Sequence, residues 1–239
     1  MAYQRVLLKI SGAALKGSQD NDILDSKILK KLALTIKKIH QQGVDLGIVI
    51  GGGNIWRGRV AKDFGLDRES ADYMGMTATI INSLVLKDVL KSVGVPAEAL
   101  SALPIKGVIE KYSAAKANRL IDERHVVIFG GGTGKPFLST DTAAAMRARD
   151  IKAEIILAGK DGVEGVYDSD PDTNPKARFL AKLSYDEFLD RELKALDLEA
   201  IALCKKHQIP IRVFNVNNLE NIVKVVNGST MGSYIGKEK

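Results

Sequence analysis

The chain has 239 residues, 45% hydrophobic and 27% charged, which is enough for one large or two small globular domains. No stretch approaches the ~18 apolar residues of a membrane span, and the first residues pass straight into a strand-like run without a signal-peptide pattern. The net charge of +6 is spread over pairs such as Lys30-Lys31, Lys37-Lys38 and Lys205-Lys206, and only 5% of residues are aromatic, so neither a membrane nor direct nucleic-acid binding is expected. The single cysteine, Cys204, excludes a disulfide framework, fits a reducing cytoplasm and reads as a helix core residue; with three scattered histidines it leaves no metal-ligating set.

Arg5-Val6-Leu7-Leu8-Lys9-Ile10-Ser11-Gly12 predicts an apolar strand closing on Ser-Gly, interrupted only by Lys9. A lysine there is either a solvent-facing edge residue or a cation reaching into a ligand crevice at the carboxyl end of the first strand. Residues 17–25 are polar and predict a loop. A helix follows with Ile28, Leu29, Leu32, Ile36 and Ile39 on one face, ended by Gly43. Val44 to Ile50 predicts the second strand, which leads into Gly51-Gly52-Gly53-Asn54-Ile55-Trp56-Arg57-Gly58. Three consecutive glycines bare their backbone N–H groups, a surface suited to a phosphate; the alternative is a tight turn with no ligand. A long helix is predicted from about Ser70 to Val93, with Met74, Ile81, Leu84, Val85 and Val89 as its buried stripe. Asp72, in its first turn, either complements the helix dipole or accepts a ligand hydroxyl near the glycine loop.

Ala97 to Leu103 predicts a strand, the segment from Ser113 a helix, and Val126 to Phe129 a strand that opens on a second glycine loop, Gly130-Gly131-Gly132-Thr133-Gly134-Lys135. Thr140 and Asp141 are helix-start residues for the alanine-rich run that follows. Neither glycine loop fits a common phosphate motif. The P-loop wants glycine where Phe129 stands and Ser or Thr where Pro136 stands; the dinucleotide fingerprint wants glycine at Trp56. Ala153 to Ala158 predicts another strand, and the turn formers of 160–172 a loop. Ser184-Tyr185-Asp186-Glu187 is a capping box. Helices near 196–208 and 219–226 and strands at 209–216 and 232–235 complete the pattern. Strands alternating with helices predict an α/β fold with a largely parallel sheet.

Taken together, Lys9-Ile10-Ser11-Gly12, the Gly51–Arg57 loop, Thr140-Asp141 and Val163-Glu164-Gly165-Val166-Tyr167 with Asp170-Pro171 resemble the amino acid kinase family. Asp72-Tyr73-Met74-Gly75-Met76, the run Gly132 to Asp141, and Pro210-Ile211-Arg212-Val213-Phe214-Asn215 resemble its uridylate-specific branch. The resemblance covers nearly the whole chain. It implies a three-layer αβα sandwich with a largely parallel central sheet. It also implies a single domain over 1–239, with an acceptor lobe over about 1–150 and an ATP lobe over about 151–239. The implied activity is phosphoryl transfer from ATP to UMP in pyrimidine nucleotide biosynthesis, with Mg2+ bound through the ATP phosphates, a homohexameric assembly and UTP as an inhibitor.

By the same resemblance, Lys9, Arg57 and Asp141 are the expected catalytic residues. Lys9, Ile10, Ser11, Gly12, Gly53, Arg57, Asp161, Tyr167 and Asp170 are the expected ATP contacts. Gly52, Asp72, Thr133, Gly134, Lys135, Pro136, Phe137, Leu138, Ser139 and Thr140 are the expected UMP contacts. The lysine offsets charge on the transferring group and the arginine fork suits two phosphate oxygens. Glu164 departs from the family's usual aspartate. Asp20 and Asp22 stand about where the family has glycines, and Ala13 where it has glutamate; this predicts weak or absent activation by GTP.

Overall fold

The structure, a computed structural model, describes residues 2–17 and 23–237. Asp20, Asn21 and Asp22 of the expected polar loop lie outside the described residues. β1 (Arg5–Ile10) runs through a 3-10 turn at Gly12–Leu15 towards α1 (Ser26–Gln41), followed by β2 (Asp45–Ile50), α2 (Gly58–Asp63), α3 (Arg68–Ser92) and β3 (Ala97–Ser101). Next come β4 (Glu110–Lys111), α4 (Ala114–Asp122), β5 (Val126–Gly130), α5 (Thr140–Asp150) and β6 (Ile155–Lys160). The remainder comprises β7 (Val166–Tyr167), β8 (Phe179–Leu180), β9 (Lys182–Ser184), α6 (Tyr185–Asp190), α7 (Leu198–His207), β10 (Ile211–Asn215), α8 (Glu220–Val226) and β11 (Ser233–Gly236).

One sheet carries the strands in the order β4-β3-β5-β2-β1-β6-β10-β11-β9, and β7 and β8 form a separate ribbon. Pairs from β4 to β10 are parallel, and β11 turns antiparallel against β10. The sheet is continuous across the two halves of the chain, because β1 pairs with β2 on one side and β6 on the other.

Successive strand side chains alternate between faces. Val6, Leu8 and Ile10 pack with Ile48 and Ile128 under α1, α3 and α8. Leu7 packs with Val127 and Ile156 under α4, α5 and α7. Both faces are covered, so the architecture is the expected three-layer α/β sandwich. The same parity sends Lys9 to the side of Leu7, towards α5.

Local chemistry sets the helix ends. Asp25 accepts from the N–H groups of Lys27 and Ile28 to start α1, whose Leu29, Leu32, Ile36 and Ile39 are buried. The Ser184–Glu187 capping box is formed. α5 starts at Thr140 as expected, on a Ser139 cap that accepts from the Thr142 N–H, with Asp141 in its first turn. Two expectations for α3 need correction. α3 starts at Arg68 on an Asp67 cap, which puts Asp72 in its second turn. Its buried side mixes Met76, Ile80, Leu86 and Leu90 with the small and polar Ala71, Ala78, Thr79, Asn82 and Ser83; of the expected stripe, Leu84, Val85 and Val89 pack partly buried against the core, while Met74 and Ile81 are 40% and 44% exposed. The α3 backbone lies against the first glycine loop, where a Cβ on Gly52 would meet Gly75 O, and Met76 and Ile80 pack against the second. The short elements α2, β4, β7, β8 and β9 were not foreseen; four of them are strands of two or three residues, too short to show alternation.

Candidate active site

β1 and β6 are parallel neighbours, with Lys9 opposite Ala158. Lys160, two residues on, therefore reaches the same face. Both lysines converge on Asp141 at the start of α5. Lys9 Nζ is 2.6 Å from Asp141 Oδ1, and Lys160 Nζ is 3.6 Å from Oδ2. Lys9 is only 7% exposed, which decides between its two readings: β1 is a central strand and Lys9 is no solvent-edge residue. The Lys9 contact is an ion pair that leaves Oδ1 without an aligned hydrogen-bond donor.

Burial pushes the Asp141 carboxyl up, but the charges of Lys9 and Lys160 outweigh it and hold the group below the usual carboxylate range. Burial and the like charge of Lys9 pull Lys160 below the usual lysine range, despite the attraction of Asp141. Two lysine side chains face one carboxylate here, a formal excess of one positive charge. The N-terminus of α5 adds to it. The arrangement suits an incoming anion. Behind the pair, Cys204 is buried in α7, and burial together with the Asp141 charge pushes its thiol up to about 12. It is an inert core group at neutral pH, as its sequence context implied.

The two glycine loops line the approach. The Gly51–Gly53 loop is tied to α3 by Asn82, whose Nδ2 donates to Gly51 O at 2.8 Å and to Asn54 Oδ1 at 2.8 Å. A Cβ on Gly12 would stand 2.4 Å from Gly51 O, and one on Gly52 would stand 2.7 Å from Gly75 O. These two glycines let backbone segments touch. Gly53 is different: a Cβ there would meet nothing within 4 Å. It borders a cavity of about 220 Å3. Of the expected acceptor contacts, Gly52, Asp72, Lys135, Leu138, Ser139 and Thr140 also line that cavity. Thr140 on its lining is followed directly by Asp141, while Lys9 and Asp141 themselves border a second, smaller cavity.

Other expected residues sit around this centre. Arg57 is exposed and its Nε donates to Gly53 O at 3.1 Å. Thr133 Oγ1 accepts from the Lys135 N–H, closing the second loop on itself, within which Gly134 adopts a positive φ. The Phe137 side chain is 55% exposed beneath the Arg68 guanidinium, and its N–H donates to Asp72 Oδ2 at 2.7 Å. Asp72 thus holds the loop as well as facing the cavity. Ile10, Ser11 and Asp161 leave β1 and β6 at the same sheet edge. Tyr167 stands edge-on to Phe179 in the β7–β8 ribbon, and Asp170 caps the turn beyond it through the Asp172 N–H. Glu164 is accommodated by Asn215, whose Nδ2 donates to it at 2.8 Å.

Four residues with clear places at the site were missed in the sequence. Lys160 follows an apolar strand as Lys9 interrupts one, the one signal that was available. Asn82, Thr79 and Arg147 lie inside helices, where nothing in the sequence separates a buried polar side chain from a solvated one.

Comparison with known proteins adds independent observations. The sequence model of the Amino acid kinase family matches residues 4–215. The crystal structure of a UMP kinase from Bacillus anthracis superposes with a TM-score of 0.94 at 37% identity, covering 99% of this chain and 97% of that one. A UMP kinase from Ureaplasma parvum superposes with a TM-score of 0.92 at 42% identity, covering 99% and 100%. A uridylate kinase from Archaeoglobus fulgidus gives 0.74 at 27%, covering 97% and 99%.

Proposed function

The chain belongs to the amino acid kinase family, and we propose that it transfers a phosphoryl group from MgATP to UMP, giving UDP and ADP in pyrimidine nucleotide biosynthesis. The observation that carries this reading is the buried Lys9–Asp141–Lys160 group at the carboxyl ends of β1 and β6, one residue along α5 from Thr140 on the lining of the glycine-rich cavity. Near-complete coverage of two UMP kinases at 37% and 42% identity supports the choice of acceptor.

In this reading UMP occupies the cavity. Its phosphate lies along Gly52 and the second glycine loop, and its ribose faces Asp72. ATP lies over Ser11, Gly12 and Gly53, with its base towards Tyr167. The acceptor lobe then spans about 1–150, which also lends Ser11, Gly12 and Gly53 to ATP, and the ATP lobe about 151–239. A UMP phosphate oxygen attacks the γ-phosphorus, a new P–O bond forms, and the β–γ bridging P–O bond breaks with its electrons leaving on ADP. The attacking oxygen is ionised at neutral pH, because the second pKa of a phosphate monoester is about 6. No general base is required. Lys9 and Lys160 offset the charge on the transferring group, and Asp141 holds both ammonium groups in place. Arg57, beside Gly53, can reach a donor phosphate.

Among the described residues no three His, Cys, Asp or Glu gather to hold a metal ion, and Asp141 is already paired with two lysines. Mg2+ carried on the ATP phosphates fits these residues, because it brings its own oxygen ligands and needs no protein cage. When bound it neutralises charge on the phosphates. Inhibition by UTP fits the same cavity, since UTP shares the uridine. Assembly as a homohexamer is supported by the exposed apolar side chains Tyr73, Met74 and Ile81 on α3. Among the described residues no helix is long and apolar enough to cross a membrane.

The test is a steady-state assay of ADP formation with UMP, CMP, dUMP and acetylglutamate as acceptors. Selective turnover of UMP is expected. Turnover of acetylglutamate instead would assign another acceptor class within the family. Binding of UMP without turnover of any acceptor would make the chain a nucleotide sensor.

A further inference from the structure

Arg147, in the third turn of α5, is 3% exposed. A guanidinium keeps its charge under all ordinary conditions, so burying it is costly unless something specific is gained. Its surroundings compensate only partly. The group lies flat against the Tyr112 ring, 3.7 Å from the centroid, and Nη1 stands 3.6 Å from Asp150 Oδ2. Among the described residues Nε has no hydrogen-bond partner, and the one side-chain hydrogen bond the group donates runs from Nη2 to the carbonyl oxygen of Gly132, at 3.1 Å.

Gly132 lies in the second glycine loop, borders the cavity and adopts φ +55°, next to Gly131 at φ +71°. Gly132 has no Cβ to fix the orientation of the peptide that follows it, so that orientation is left to Thr133 and to the partner of the Gly132 carbonyl. The loop is held from two sides. Thr79 of α3 accepts from the Gly131 N–H at 2.9 Å, and Arg147 of α5 draws the Gly132 carbonyl towards the core. In a planar trans peptide the N–H points opposite to the C=O. With the Gly132 oxygen turned inward, the Thr133 N–H turns outward, and it makes no backbone hydrogen bond among the described residues.

We propose that Arg147 is a positioning residue for the acceptor: from inside the core it fixes the Gly132–Thr133 peptide so that an N–H, and not a carbonyl oxygen, meets the acceptor's phosphate. The inference rests on the assignment of UMP to the cavity. Turning the peptide over would set a carbonyl dipole against a dianion and remove a donor from it. Arg147 itself touches no ligand, because Tyr112, Asp150 and the Gly132 carbonyl surround it.

The experiment is calorimetric binding of UMP and of MgATP, in separate titrations, to the full chain and to Arg147→Met and Arg147→Lys. Arg147→Met should weaken UMP by about tenfold, the worth of one charge-assisted hydrogen bond, and MgATP by less than twofold. Arg147→Lys keeps a charge and a donor and should recover much of the loss; it also serves should the Met variant not fold. Equal weakening of both ligands, or unchanged UMP affinity in a folded variant, would overturn the inference while leaving the proposed function intact. Failure of the unaltered chain to bind UMP would overturn both.

Discussion

Lys9 and Lys160 reach one carboxylate from adjacent strands, yet the structure treats them differently. Lys9 is buried and in close contact with Asp141, whereas Lys160 is farther off, and its charged form is disfavoured by burial and by Lys9. Lys9→Ala should lower the chemical step ~10²-fold or more with the fold intact, the usual effect of losing one transition-state donor; single-turnover kinetics on the folded variant measure it. Lys160→Met should also slow turnover. It should raise the melting temperature of the ligand-free chain at neutral pH, because it removes a charge that the empty site does not favour. A lower melting temperature would show that the Asp141 attraction dominates instead. Asp141 gives a pH dependence of known sign. Its folded pKa is depressed, so its stabilisation is fully present above the unfolded value of about 3.9 and is lost as pH falls through the lower folded value. The stability difference between the unaltered chain and Asp141→Asn, from urea titrations, should shrink over that acid range and stay flat from pH 5 to 7.

At the scale of elements, the site is built where α3 and α5 meet the carboxyl edge of the sheet. α3 supplies Asn82 to the first glycine loop, Thr79 to the second and Asp72 to the segment before α5. This explains why it buries small and polar residues. Asp72→Asn removes the charge that faces the cavity and weakens the clasp on the Phe137 N–H, both on the acceptor side. UMP should lose far more affinity than ATP, by calorimetry; equal losses would make Asp72 a structural residue only. Gly53 gives a complementary contrast with Gly52. A side chain at Gly52 collides with α3 and should cost stability, whereas the space above Gly53 is left open for a ligand.

For the whole molecule, one continuous sheet places the proposed donor and acceptor sides on a shared rigid base, joined through β1. The apolar side chains on the outside of α3 are what a monomer would leave wet. Asp20 and Asp22 would repel a triphosphate effector approaching their loop, so GTP should raise the initial rate little or not at all at subsaturating ATP and excess magnesium. A saturable, several-fold activation would place the effector elsewhere.

The sequence by itself determined the layers of the fold and the chemical types at the site. Strand alternation and helix periodicity are local signals, and Lys9, the glycine runs, Asp72 and Asp141 stand out because they break an apolar pattern or follow one. That is why β1, β2, β5 and α1 were legible; Lys135 and Leu138 to Thr140, which border the cavity, were expected only from the family resemblance. What only the tertiary structure decided are the long-range encounters. Lys160 joins Lys9 because β6 pairs with β1 across 150 residues of chain. Arg147 bonds Gly132 because α5 folds back over its own approach loop. Met74 and Ile81 of α3 face outward, unlike Leu84, Val85 and Val89, because apolar character marks what can be buried, whereas the contacts of α3 with the two glycine loops decide which side is.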